Sequence, residues 1–187
     1  MELFRERWVL ALATNARRDG DAGQAPYPTP LFYAPIDLGR WIARPAPALI
    51  FASSPGSTHG LQLDAGPTHA GAALYLETED VSELRGVQLQ GVVLREDRLP
   101  ASITAALRST YLARHPVAAP LLPSGEDRPA GRNARHAVYA LAVTWAKITD
   151  NRVRFGHHEV HRFSDPWAEI AAVAQQSREQ TREQSRE

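Results

Sequence analysis

The residue types from Ser53 to His59, "SSPGSTH", can hold an anion. Two hydroxyls, a tight Pro-Gly turn and a third hydroxyl lead into a segment with helical character. A helix start presents unpaired backbone N–H groups and a partial positive charge, a setting suited to phosphate. The same residues also make an ordinary strand-to-helix turn, with Ser54 or Ser57 as the N-cap. His157, His158 and His161 in "GHHEVH" form the other conspicuous cluster. They lack the HExxH order of zinc proteases. On a strand, His157 and His161 share a face about 13 Å apart at ~3.3 Å per residue, too far for one zinc ion. No metal site is expected, and a structural or substrate-facing role suits these histidines better. No serine sits in a GxSxG setting, there is no P-loop or GxGxxG, and no residue is singled out as catalytic. The acidic run Glu77–Glu83 reads as a solvated loop.

The elements around these residues read mostly as strands. Trp8–Thr14 is a short apolar run, followed by the Asp- and Gly-rich loop "NARRDGDAG". "APYPTPLFYAPI" is a second strand. Proline cannot donate to a ladder, so the start of this strand is expected at an edge or beside a bulge. Ala48–Ser53 is a third strand, and a short helix after it stops at Gly66-Pro67. "THAGAALYLET" and "GVQLQGVVLRE" follow. In the latter, Val87 and Leu89 take one face and Gln88 and Gln90 the other, and Gly91 implies a bulge or a close backbone approach. "PASITAALRSTYLARHP" is the best helix, with Ile103, Ala106, Leu107 and Tyr111 at helical spacing. Residues 117–136 read as a long loop of the kind that is functional or disordered. "AVYALAVTWAKI" is a sixth strand, with Tyr139, Leu141, Val143 and Trp145 expected on one face. A turn at Asp150-Asn151 leads to a seventh, "RVRFGHHEVHRF". A last helix begins near Pro166, capped by Ser164 or Asp165. Residues 1–174 are read as one domain and 175–187 as a polar, low-complexity tail expected to be disordered.

Composition limits the function classes. The 187 residues, 43% hydrophobic, suffice for one core. Lys+Arg and Asp+Glu both number 21, so no basic surface for nucleic acid is indicated. There is no cysteine, which removes disulfides, thiolate metal sites and a cysteine nucleophile. No signal-peptide layout and no membrane-length apolar run is present, so a cytoplasmic protein without a membrane partner is the expectation. About six to seven strands with a few short helices point to a mainly β (α+β) chain, a small antiparallel barrel.

The order of these pieces resembles the FMN-binding split barrel of the pyridoxamine 5′-phosphate oxidase-like superfamily, in an uncharacterised bacterial branch. The residues that carry the likeness are Pro30-Leu31-Phe32-Tyr33, Ser53 to His59 and Gly86-Val87-Gln88-Leu89-Gln90-Gly91, with "YLARHPVAAPLL" and "AKITDNRVRFGHHEV" matching the branch. The resemblance implies a split antiparallel β-barrel that pairs into a homodimer, with a cofactor site at the subunit interface and a small-molecule substrate. It implies FMN, with haem or a deazaflavin as alternatives. Ser53 and Ser54 would hold the phosphate. The two positions that are basic in relatives fall on Thr58 and His59, a departure that weakens the expected grip, because charge-assisted contacts are roughly twice as strong as neutral ones. Thr29, Pro30 and Leu31 would run beside the flavin ring, Gln88 (or Gln90) would donate to it, and His157 or Phe155 would reach its face in the dimer. The expected function is an FMN-dependent oxidoreductase. The alternative is a non-catalytic dimer that binds flavin, haem or another aromatic ligand.

Overall fold

The computed structural model describes residues 3–17, 24–64, 66–122, 136–173 and 175. The expected tail beyond 175 and most of the expected loop, 123–135, lie outside these residues. Helix α1 (Leu3–Glu6) leads into β1 (Val9–Arg17) and β2 (Gln24–Asp37). Helix α2 (Gly39–Ile42) joins β2 to β3 (Pro47–Ser53), and α3 (Thr58–Leu63) joins β3 to β4 (Thr68–Tyr75). Next come β5 (Arg85–Arg95), α4 (Ala101–Arg114), β6 (Ala137–Asp150) and β7 (His158–Arg162), then a helix α5 over residues 167–173. The segment "WIARPAPA" takes in the last two residues of α2 and the first two of β3. The seventh strand is shorter than its sequence pattern, because 151–156 form a turn.

All strand pairs are antiparallel. β1, β2, β3, β6, β5 and β4 close on themselves as a six-stranded barrel, and β7 adds to β6 outside the circle. Leu10, Leu12, Leu49, Phe51, Val87, Leu89, Tyr139 and Leu141 fill the interior. A second core lies on the outside, where Ile50, Val92, Leu94, Val138, Ala140 and Ala142 meet Ile103, Leu107 and Tyr111 of α4 and Trp167 and Ile170 of α5. Helix α4 buries the stripe its sequence spacing predicts. Its Arg108 is anchored on the fully buried Glu96 by two hydrogen bonds, while Glu96 also accepts from Val138 N (3.2 Å). Asp165 caps α5 through Trp167 N (3.0 Å), as expected.

The prolines of β2 obey a simple rule. β3 pairs only with Tyr33–Asp37, so the first part of β2 has β1 alone as partner. Backbone groups alternate sides along a strand. Tyr33 N turns toward β1, donating to Trp8 O (3.2 Å), so Pro26, Pro28 and Pro30 fall in the opposite phase. Their missing N–H groups face the open edge and cost no ladder bond.

The register of β5 and β6 slips at one point. Gln90 opposes Trp145 but Gly91 opposes Val143, so Thr144 is an extra residue on β6. Such a bulge reverses which face the following side chains occupy. Leu141 and Val143 point inward before it, and Ala146 and Ile148 after it. Trp145 therefore sits on the outer face, a correction to the alternation read from sequence. Gly91 is the close approach expected there: an added Cβ would lie 2.0 Å from Ala142 O. Gly91→Ala should destabilise the fold by about 1–3 kcal/mol, the cost of forcing atoms into a packed interior, and equilibrium urea unfolding should show this as a lowered midpoint.

Candidate functional site

The residues singled out in the sequence divide among three places. The first is the turn after β3. Ser57 is the N-cap of α3, its Oγ accepting from Gly60 N (3.1 Å) and donating to Ser54 O (2.7 Å). Ser53, nearly buried at the end of β3, lies with its Oγ 2.5 Å from His59 Nε2. His59 is itself buried, and burial holds its pKa below the ordinary 6.5. Thr58 is exposed.

The second place is the outer face of the sheet. Pro30, Ala11, Ala73, Gln88 and Lys147 occupy one register row across β2, β1, β4, β5 and β6. Pro30 and Gln88 are exposed, three strand spacings or about 14 Å apart at ~4.8 Å each. Gln90 lies two residues along on the same face as Gln88. Thr29 and Leu31 are in the opposite phase to Pro30, half-buried toward the interior. His157 marks the third place, the β6–β7 turn, where its carbonyl accepts from Asp150 N (3.1 Å). The turn at Ser53 pairs near Ala137 and His157 lies beyond Thr149, so on the order of 40 Å of strand separates them. Within one chain these candidates do not converge.

A different site does converge. β6 pairs with β3 up to Ala142 and with β7 from Trp145 onward, so β3 and β7 part company along it. A cavity of about 690 Å³ fills that split. Pro35–Asp37 and Pro47–Leu49 form one wall, Glu159, His161 and Phe163 the other, and Val87, Leu89, Val143, Ala146 and Ile148 the floor. Phe4 and Arg5 of α1 close the rim. Asp37 is fixed by Gly39 N (2.8 Å) and Ala46 N (3.0 Å). Glu159 lies 3.5 Å from His161 and 3.9 Å from His157.

The rim helix is tied down by Tyr33 and Arg114. Tyr33 Oη donates to Phe4 O (3.0 Å), and Arg114 Nη2 donates to Arg5 O (3.1 Å) and to Arg7 O. Burial pushes the Tyr33 hydroxyl up to about 12, against the opposing pull of Arg114 and Arg7, so it stays a neutral donor. The Arg114 guanidinium lies 4.6 Å from the Trp8 ring centre. His115 Nε2 is 2.8 Å from Tyr33 O, with its ring packed against Trp8, Phe32 and Tyr111. No motif marks Arg5, Asp37 or Glu159. His161 was visible only as part of a histidine cluster. Among the described residues no group of three His, Cys, Asp or Glu is arranged to hold a metal, and no helix is long and apolar enough to cross a membrane.

The closed six-stranded barrel with its partner exchange on β6 decides the fold. The chain has a split antiparallel β-barrel fold. Among solved split barrels it is similar to a haem-binding protein from Mycobacterium smegmatis, at 22% identity and TM-score 0.59 over 86% of this chain. It spans only 55% of that protein's length. It is also similar to a pyridoxamine 5′-phosphate oxidase-related, FMN-binding protein from Nostoc punctiforme PCC 73102, at 12% identity and TM-score 0.51, over 87% of this chain and 92% of that one. No family model matches the chain, and no curated protein does.

The lowered pKa of His59 gives this split barrel a pH signature. Between the folded value and 6.5 the unfolded chain holds more protons, so stability rises with pH through that window and is lost on acidification. In urea unfolding at about pH 7 and about pH 5, His59→Asn should lose less of its midpoint than the wild type does.

Proposed function

We propose that the protein binds the ring system of a planar aromatic ligand, haem or flavin, in the cavity at the split. The observation that carries this reading is the cavity itself. Its volume, about 690 Å³, falls within the roughly 300–1,000 Å³ of small-molecule sites, and its floor is apolar with a few polar groups at the edge. An apolar floor suits the faces of a ring. Arg5 and His161 at the edge suit its carboxylates or other polar substituents. In the haem case His161 is the imidazole at hand, because His59 is hydrogen-bonded to Ser53 and His157 does not line the cavity. The solved split barrels named as haem-binding and FMN-binding support a ligand of this class.

An FMN-dependent oxidoreductase is the second reading. It is favoured by the outer row in which Pro30 and Gln88 flank the small residues Ala11 and Ala73, a shallow trough that a second copy of the chain would cover. The flavin would then supply the redox chemistry and the protein its placement.

Purified protein titrated with hemin and with riboflavin should show saturable uptake of at least one, read from a Soret band or from quenched flavin fluorescence. Leu89→Trp, which fills the cavity, should weaken that uptake at least about tenfold, ~1.4 kcal/mol, while circular dichroism stays native. No uptake, or equal uptake by a folded Leu89→Trp, would overturn the cavity reading.

A further inference from the structure

The turn after β3 bears on which aromatic ligand the cavity takes, an inference that rests on the cavity reading. We propose that the Ser53–His59 turn is closed against phosphate, so that the ligand is one held without a phosphate anchor: haem or an unphosphorylated flavin-like ring in preference to FMN.

A phosphate at a strand-to-helix turn needs free donors and positive charge. Several of the donors here are already engaged. Ser53 Oγ faces His59 Nε2, Ser57 Oγ donates to Ser54 O, and Gly60 N donates to Ser57 Oγ. Ser57 N also donates to Ser54 O (3.1 Å). The backbone is packed as tightly as the side chains: a Cβ on Gly60 would lie 2.2 Å from Ser54 O and 3.0 Å from the Pro55 carbonyl carbon.

The segment itself carries no permanent positive charge. No lysine or arginine occurs from Pro45 through Leu84. Arg95 and Arg98 reach α3, but at its far end, where Arg95 Nη1 meets the Asp64 carboxylate (2.5 Å) and Arg98 Nη2 meets Asp64 O (2.7 Å). Thr58 offers an exposed, uncharged hydroxyl. His59, the one titratable group in the turn, is buried and kept toward its neutral form. Helix α3 has only six residues, so few aligned peptide dipoles stand behind its start. An imidazole and a hydroxyl are bonded to each other where an anion would need a free donor.

Two measurements on the full chain test this. The first follows the His59 ring by NMR, assigned with His59→Asn, across a pH titration in chloride and then in inorganic phosphate at equal ionic strength. The same midpoint, below 6.5, is expected in both. A midpoint raised by phosphate would overturn the proposal. The second compares FMN with riboflavin. Affinities within about threefold are expected; FMN more than about tenfold tighter, with the preference lost in Ser53→Ala, would overturn it. If neither flavin binds, the ring-binding proposal suffers for flavins, and the phosphate titration of His59 still decides the state of the turn.

Discussion

Strand β6 serves two partners, and most of the molecule follows from where it changes between them. Its first half closes the barrel against β3, and its second half carries β7. Thr144 sits at the changeover. Its extra residue shifts the register with β5, its Oγ1 donates to Gln90 O (3.3 Å), and its carbonyl accepts from Phe163 N (2.9 Å) as the chain leaves β7. Without the bulge, the side chains that follow would face the wrong way. Ala146 and Ile148 would leave the cavity floor and Trp145 would enter it.

The two cores make that changeover rigid. Inside, aliphatic side chains and the stacked Phe51–Tyr139 pair, 5.4 Å between ring centres, fill the barrel below the cavity. Outside, α4 and α5 cover the first half of β6, and Trp167 Nε1 donates to Val92 O (2.9 Å). Among the described residues nothing comparable fills the split. The space between β3 and β7 is left to Phe4 and Arg5, whose helix depends on Tyr33 and Arg114 for its place. A barrel that is well packed at one end and parted at the other has its ligand-sized volume where the strands separate.

Much of this was legible in the sequence, and each success has a local cause. Alternate prolines announced an open strand edge. Gly91 announced a close approach, and the spacing of Ile103, Leu107 and Tyr111 announced the buried face of α4. The failures come from interactions that sequence spacing does not encode. Trp145 reads as the continuation of Tyr139, Leu141 and Val143 because a bulge adds a residue without changing the apolar pattern. The cavity draws residues from α1, β2, β3, β5, β6 and β7, and only the closed topology brings them together. The turn at Ser53 is a subtler case. Hydroxyls, a tight turn and a histidine suit both an anion cradle and a closed hydrogen-bonded cap. The choice rests on whether the histidine points outward as a cation or inward as a partner of Ser53, and its burial places it inward.

On the proposed reading the ligand lodges at the split of the barrel and leaves the turn after β3 untouched. Backbone amide shift mapping by NMR, with riboflavin or a diamagnetic haem analogue such as zinc protoporphyrin, tests it most directly. The perturbed amides are expected to cluster at Leu49, Leu89, Val143, Ala146 and His161, with Ser53 to His59 unmoved. Perturbation centred on Ser53 to His59 or on the outer row of Pro30 and Gln88, with the cavity residues silent, would contradict it.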